Sequence, residues 1–394
     1  MELADFLSRK PLYYKEIDHV RVHRAYEILQ PQIRRPQTVH IVGTNGKGST
    51  GRMIAYLAWK SGKHVGHFSS PHILTFNERI WIDGEDASDL TLQRAHLRLY
   101  AMLGKEMSDA LSYFEYTTLL ALVVFEQCDL VVLEAGLGGE FDASNVCDKE
   151  LSVITPIGID HQAFLGESIE EIAATKIRSI QTRVLLAPQP YSEVVEVAKE
   201  IVSNVGATLV VAQNRQSIHK GHPYGLQKIA KTKGWPTYLM ENAAVAMQAL
   251  DILEISYKIE DLETLELFGR FYPLAENIRI DVGHNPLAAR AIVDVMEPET
   301  VLIYNSLDDK DYEAVLRMLK PKVKRVEIIP IETQRASTIE AIEGALQAVG
   351  LAYRIYQNRL AKEEDYLVFG SFYTVEAFLK QYSVGGDCYR TNSK

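Results

Sequence analysis

A lysine held between two glycines, Gly46-Lys47-Gly48, follows the apolar run Val39–Val42 and precedes Ser49 and Thr50. Glycines at such a place let backbone N–H groups come close to an anion. A helix starting at about Ser49 would aim its partial positive end the same way, and Lys47 would add a point charge. The order is not that of the strict phosphate loop, G-x-x-x-x-G-K-[ST]. Ile41 stands where its first glycine belongs, and Gly48 separates Lys47 from Ser49. A glycine turn carrying a solvated lysine is the plain alternative.

Other reactive types sit where apolar runs end. Glu134 closes DLVVLE, and a carboxylate behind an apolar strand is costly unless it is paired or bound to a cation. HFSSPH ends in Ser69, Ser70 and His72, and LSVITPIGIDH ends in Asp160 and His161. Ser70, Glu134 and His161 together would suit Mg²⁺, which keeps several waters and takes few protein ligands, although imidazole is an unusual partner for it. Each also has an ordinary reading, Glu134 as a salt bridge and His161 as a hydrogen-bonded structural group. Ser168-Ile-Glu-Glu171 is a capping box that opens a helix carrying Lys176 and Arg178, where a lysine is ordinarily a solvated face residue. Farther on, Asn242 has the look of an N-cap, Arg270 falls in a linker, and Asp281 and His284 lie in the polar turn of IRIDVGHNP.

These groups need a frame that brings strand ends to one edge. Strand-length apolar runs at Thr38–Val42, His64–Phe68, Leu130–Leu133, Leu151–Ile159, Val184–Ala187 and Thr208–Ala212 alternate with helical patterns. That alternation predicts an α/β fold with a mostly parallel sheet covered by helices. In such sheets ligands bind beyond the carboxyl ends of the strands, which is where the reactive residues fall. A second series, Val301–Asn305, Arg325–Pro330, Tyr353–Tyr356 and Tyr366–Phe369, predicts a smaller α/β domain. The join is placed in ELFGRFY (Glu266–Tyr272), giving domains 1–268 and 269–394. SVGGDCYRTNSK reads as a loose tail.

A net charge of −10 over 394 residues gives no global attraction for nucleic acid or an anionic membrane. The N-terminus lacks the apolar core of a secretory signal, and Thr117–Phe125 is far shorter than the roughly 20 residues of a membrane span. Cys128, Cys147 and Cys388 have no metal-ligand spacing and cannot all pair, which suits a reducing compartment. The expectation is a soluble, cytoplasmic chain.

Together the motifs HIVGTNGKGST (40–50), FSSPHILTFNERIWIDG (68–84), YFEYTTLLAL (113–122), VLEAGLGGEFDASNV (132–146), ITPIGIDHQAFLGESIEEIAATK (154–176), ENAAVAMQAL (241–250), DVGHNP (281–286) and DDKD (308–311) carry a resemblance. The chain resembles the folylpolyglutamate synthase/dihydrofolate synthase family of the Mur ligase superfamily. The match is dense from residue 38 to about 180 and thinner beyond.

The resemblance implies a P-loop-type N-terminal ATPase domain and a smaller Rossmann-like C-terminal domain. It implies amide ligation by a monomer: ATP phosphorylates the carboxylate of dihydropteroate or a reduced folate, and L-glutamate displaces phosphate from the acyl phosphate. Thr44, Asn45, Gly46, Lys47, Gly48, Ser49 and Thr50 would then hold ATP. Asn242, Arg270, Asp281 and His284 would serve the nucleotide from the second domain. Ser70, Glu134 and His161 would ligate one Mg²⁺, and Lys176, as a carbamate, a second. Lys47, His161 and Lys176 would be the catalytic set, and Phe114, Asp142 and Ala143 the pterin contacts, with an aromatic face for stacking and a carboxylate for the pterin N–H donors.

Four departures from the family pattern stand out. Lys176-Ile177-Arg178-Ser179 replaces Lys-Ala-Gly-Ile, Glu140 stands where an arginine is common, Val282-Gly283 replaces Gly-Ala, and Arg270 lacks a preceding Trp-Pro. The alternatives are a Mur-type ligase acting on a UDP-muropeptide and a nucleotide-binding switch that is no ligase. The first needs an N-terminal UDP-sugar domain, for which the loop at residue 43 leaves no room. The second needs an Asn-Lys-x-Asp that the chain lacks.

Overall fold

The computed structural model describes residues 1–11, 18, 20–212 and 223–384. Cys388, the predicted tail beyond residue 384 and most of the leading segment 12–19 lie outside them. The chain divides into two compact units, Met1–Lys233 with Leu239–Leu265, and Gly234–Tyr238 with Glu266–Lys394. Among the described residues no helix is long and apolar enough to cross a membrane.

The first unit is built on an eight-stranded sheet. Its strands are β1 (Gln37–Val42), β2 (Val65–Phe68), β3 (Ile80–Ile82), β4 (Glu85–Asp86), β5 (Leu130–Glu134), β6 (Leu151–Ile154), β7 (Arg183–Leu186) and β8 (Thr208–Val211). The order is β4-β3-β2-β5-β1-β6-β7-β8, parallel except where β3 pairs antiparallel with β2 and β4. The antiparallel pair escapes an apolar-run reading because Ile80–Ile82 is short and Glu85–Asp86 is wholly polar.

β1, β2, β5 and β6 are buried along almost their whole length because helices cover both faces. One core joins Phe6, Tyr26, Leu99, Tyr116, Leu120 and Phe125, and the other joins Ile157, Ile172, Ile177, Val184 and Ala198. The helix Tyr113–Val124 is buried along most of its length, which is why its apolar residues show little sidedness.

Register decides what the sheet can do. Ile41 lies opposite Glu134 and Val42 opposite Ile154, while Phe68 lies opposite Leu133. The carboxyl ends of four neighbouring strands are therefore level. The chain leaves β1 toward β2 on one side and leaves β5 toward β6 on the other, so the crevice between β1 and β5 is the topological switch point where α/β sheets take ligands.

One predicted strand is corrected. The run Leu151–Ile159 is strand only to Ile154. From Pro156 the chain turns over the loop after β1, and the Pro156 carbonyl accepts the amides of Thr44 (3.0 Å) and Asn45 (3.1 Å). A proline with no N–H to give and a glycine at 158 favour that turn over a continued ladder.

The second unit holds a six-stranded sheet, β9 (Tyr272–Ala275), β10 (Ile278–Ile280), β11 (Thr300–Tyr304), β12 (Val323–Ile328), β13 (Tyr353–Ile355) and β14 (Tyr366–Phe369). The order is β13-β12-β11-β14-β10-β9, with only β9 antiparallel. Helices Tyr312–Leu319 and Ile339–Val349 cover it with Val315, Leu316, Ile342 and Leu346 against Leu302, Val326 and Leu367.

His67, on β2, is fully buried, and neither ring nitrogen has a hydrogen-bond partner among the described residues. Burial and the nearby Arg52 push its pKa well below 6.5, so the folded chain keeps it neutral while the unfolded chain protonates it. Stability must therefore fall as pH drops below 6.5, by up to about 1.4 kcal/mol per pH unit for each such histidine. His67→Leu removes two unsatisfied nitrogens. It should flatten the decline of Tm between pH 6.5 and 5 without lowering Tm at pH 7; an unchanged slope in thermal melts would refute the assignment.

Candidate active site

The helix Lys47–Lys60 starts two residues earlier than the sequence predicts, with Gly46 as its N-cap. Gly46 has φ +85°, and a side chain there would meet Asn242 Oδ1 at 2.9 Å. Only glycine suits that backbone and that approach. The first helical amides, those of Lys47, Gly48 and Ser49, have no partner within the helix and gather at its positive end. Thr44 and Asn45 are placed differently from the expectation of a row of anion-facing amides, since both donate their N–H groups to Pro156. Thr44 Oγ1 also donates to the Gly158 carbonyl at 3.1 Å. Lys47 Nζ folds back to the carbonyls of Gly43 (3.2 Å) and Thr44 (3.3 Å). Thr50 is buried inside the helix, and its N–H closes the first helical turn on Gly46 O at 2.9 Å.

Two expectations about single residues are corrected. Asn242 is not an N-cap and does not belong to the second unit. It lies inside the helix Thr237–Ile252, within the first unit, and its Nδ2 donates to Ser49 Oγ at 2.7 Å. Lys176 is not a solvated face residue. It is 4% exposed, and its Nζ donates to the Gly43 carbonyl at 3.1 Å. The capping box at Ser168 and Glu171 forms as read and starts the helix Ile169–Ile177 that delivers this lysine.

Glu134 ends β5 with 4% exposure, and its Oε2 accepts a long bond from the Ser70 amide at 3.4 Å. Two of the three expected cation ligands are thus adjacent. His161 lies at the start of a short helix, Gln162–Leu165, with a left-handed backbone and Asp160 Oδ1 at 3.9 Å from its Nε2. A hydroxyl, a buried carboxylate and an imidazole at the ends of neighbouring strand connections are a donor set that fits a hard divalent cation retaining waters. Among the described residues no cluster of three or more His, Cys, Asp or Glu could hold a metal.

The segment after β5 carries the expected substrate wall. Gly136 packs flat on Phe114, where a side chain would fall 2.6 Å from Cζ, and Phe114 tilts against Phe68 with centroids 5.8 Å apart. Asp142 is not the open carboxylate the sequence suggests. Its Oδ2 accepts from Leu137 N at 2.9 Å, and its Oδ1 accepts from Ser144 N at 2.9 Å and Ser144 Oγ at 2.5 Å. Burial raises its pKa, and these donors oppose the rise. Asp142 organises its own loop, and Ala143 begins the buried turn that follows.

Sequence reasoning passed over three groups that the structure brings into play. Arg79 donates from Nε to His72 Nδ1 at 2.8 Å, so His72 presents a neutral ring with its proton on Nε2, and burial and that guanidinium lower its pKa to about 4. Glu78 accepts the amides of Ile73, Leu74 and Thr75 and stiffens the same loop. His40 lies under Ser144. Glu78 does carry a local signal, the Thr75-x-x-Glu78 capping box, whereas Arg79 and His40 act on partners that are not their helical or strand neighbours.

Two of the departures answer each other. Glu140 Oε2 and Arg178 Nη1 lie 3.3 Å apart, a half-exposed pair across the loop and the lysine helix.

In the second unit Asp281 is buried and ties the turn around Arg270. Its Oδ2 accepts from Tyr238 Oη (2.9 Å) and Phe271 N (2.8 Å), and its Oδ1 accepts from Gly283 N at 2.7 Å. Arg270 lies over the Phe372 ring at 5.3 Å, and His284 Nδ1 lies 3.2 Å from the Val282 carbonyl.

No family model matches the chain. A curated relative in Escherichia coli, dihydrofolate synthase/folylpolyglutamate synthase, is 31% identical over 363 residues, covering 86% of this chain and 85% of its own. The chain belongs to the folylpolyglutamate synthase/dihydrofolate synthase family. Its members' structures agree with the fold. Helicobacter pylori folylpolyglutamate synthetase is 38% identical with a TM-score of 0.79, covering 97% of this chain and 98% of its own. A bifunctional folylpolyglutamate synthase/dihydrofolate synthase solved with Mn, AMPPNP and L-glutamate bound is 27% identical with a TM-score of 0.82, covering 96% and 98%. The chain is accordingly an ATP-dependent ligase that adds glutamate.

Gly46→Ala should weaken ATP binding at least about tenfold, from backbone strain and the clash with Asn242. Gly46→Ala combined with Asn242→Ala should not restore wild-type affinity, because the strain at φ +85° remains and the bond to Ser49 is lost. Nucleotide titration of both variants checks it, and wild-type affinity in Gly46→Ala would contradict the loop geometry.

Proposed function

We propose that this enzyme carries both activities, joining L-glutamate to dihydropteroate and to the γ-carboxylate of reduced folates. A substrate carboxylate oxygen attacks the γ-phosphorus of ATP and ADP leaves. The glutamate amine then attacks the acyl phosphate carbon, and phosphate leaves with the amine's proton going to solvent or a base. The observation that carries this reading is the convergence at one sheet edge of the Gly46–Ser49 helix start, Glu134 with Ser70, and the buried Lys176. Charge on a transferring phosphoryl group is stabilised best by fixed donors that need no reorganisation, and the amides at the start of the Lys47–Lys60 helix are such donors.

In the proposed roles Gly46, Lys47, Gly48 and Ser49 face the phosphates, with Thr44, Asn45 and Thr50 shaping the loop. Asn242 orients Ser49 through its 2.7 Å bond. Within the second unit Asp281 fixes the turn that carries Arg270 and His284. Phe114 offers its ring to the pterin, and the loop through Asp142 and Ala143 forms the wall beside it. His72, held as a neutral Nε2–H donor, is available to an anionic or carbonyl oxygen near Ser70.

Ser70, Glu134 and His161 would hold one Mg²⁺, which would neutralise phosphate charge when bound. Lys176 as a carbamate would serve a second. A carbamate keeps one N–H, enough to preserve the bond to Gly43 O, and adds two anionic oxygens where an ammonium could ligate nothing. We further propose a monomer acting in the cytoplasm, which suits the buried unpaired thiols of Cys128 and Cys147.

Phosphate release with glutamate and either dihydropteroate or tetrahydrofolate should exceed release without the pterin compound, and a UDP-muropeptide should give none. Turnover with one folate substrate alone would reduce the enzyme to a single activity. Lys47→Ala should lower kcat about 10²–10³-fold, and wild-type turnover would remove Lys47 from the transferred phosphate. ¹³C-bicarbonate should give a carbamate resonance in the wild type that Lys176→Met lacks; a spectrum without it, at full activity, would leave Lys176 as an ammonium.

A further inference from the structure

His40 on β1 is completely buried, with Nε2 2.8 Å from Ser144 Oγ. Ser144 Oγ in turn lies 2.5 Å from Asp142 Oδ1. Proton positions follow from the chemistry. A carboxylate only accepts, so the serine hydroxyl gives its hydrogen to Asp142 and can only accept from the imidazole. His40 therefore carries its proton on Nε2, and Nδ1 is bare, with no partner among the described residues. Burial and the charge of Lys149 keep the ring neutral, which this direction of donation needs.

That arrangement is costly as packing. The neighbours of His40 on β1 are Val39, Ile41 and Val42, and an apolar side chain would bury as well without leaving a bare nitrogen. What an apolar residue cannot do is donate. The donated bond ends on the carboxylate that shapes residues 136–142. Gly136 of that loop lies on the Phe114 ring. Gly139 lies on the backbone carbonyl of Lys176, where any side chain would overlap it, and Glu140 N donates to Thr175 O at 2.9 Å. Moving the loop would disturb the aromatic wall and the lysine helix together.

We propose that His40 is a positioning residue for the folate-type substrate: through Ser144 it fixes Asp142 and the 136–142 loop while touching no substrate itself. The inference rests on the reading of Phe114, Asp142 and Ala143 as the pterin wall. The effect on nucleotide binding should be smaller, because the Thr44 and Asn45 amides still hold the phosphate loop through Pro156, a clasp that uses no residue of 136–142.

The test is steady-state kinetics on the full chain, with thermal melts of every variant. His40→Leu and Ser144→Ala should each raise KM for tetrahydrofolate or dihydropteroate about tenfold, leaving KM for ATP within about twofold. His40→Gln should restore near wild-type KM, since its Nε2–H can replace the imidazole donor. The double variant His40→Leu/Ser144→Ala should be no worse than either single one, because both break the same chain. If His40→Leu does not fold, Ser144→Ala carries the test, since it removes the bond with little change in volume. An equal rise in KM for ATP, or no rescue by a folded His40→Gln, would make His40 a packing residue. If Asp142→Ala raises the folate KM and neither His40→Leu nor Ser144→Ala does, the positioning role alone is lost. If Asp142→Ala leaves that KM unchanged, the pterin-wall reading fails and the positioning role with it.

Discussion

Two amides, those of Thr44 and Asn45, converge on the single carbonyl of Pro156, and the site is built outward from that clasp. It bends the connection after β6 over the loop after β1 and places Gly158 against the Thr44 hydroxyl. With the loop pinned from one side, Lys176 reaches the Gly43 carbonyl from another, and Asn242 meets Ser49 from a third. A glycine-rich loop has a large conformational entropy to lose. Here that loss falls on folding, so the helix start is already formed when an anion arrives. Electrostatic catalysis draws its strength from this kind of preorganisation.

The same logic explains the buried polar groups. Asp142 and Asp281 lie in different units and have unrelated sequences around them, yet each accepts several donors, Asp142 from Leu137 and Ser144 of its own loop and Asp281 from Tyr238, Phe271 and Gly283. Each is raised in pKa by burial and held against that rise by its donors, Asp281 also by Arg270. A carboxylate used this way is a knot in the backbone. It lets a loop carry irregular conformation next to a ligand without leaving its own N–H groups unsatisfied.

Much of the frame was legible in the residues. Strands β1, β2, β5, β7 and β14 fall within a residue or two of the apolar runs, because strands buried on both faces have no polar alternation to obscure them. The end of β6 was not legible, since Ile157 and Ile159 continue an apolar pattern while Pro156 and Gly158 turn the backbone. The types and places of Lys47, Glu134 and Lys176 could be read, but their burial and partners could not. Asn242 misled because its role is set by Ser49, 193 residues away. His40 and Ser144, 104 residues apart, gave no signal at all. Glu140 and Arg178 stood out as two separate departures, and only the folded chain shows them as one exchanged charge pair.

The loop of residues 136–142 divides its positions into two kinds. Gly136 and Gly139 press bare backbone against Phe114 and the Lys176 carbonyl, so any side chain there displaces a neighbour. Leu137 and Phe141, between and beside them, are 36% and 54% exposed. Variation among relatives and design alike are thereby channelled. The outward residues can be exchanged to reshape what the enzyme meets at its rim, while the backbone path stays fixed by the two glycines and the Asp142 knot. On the proposed reading of Phe114 and Lys176, substrate range and catalytic geometry would be carried by one short loop and yet be free to change separately.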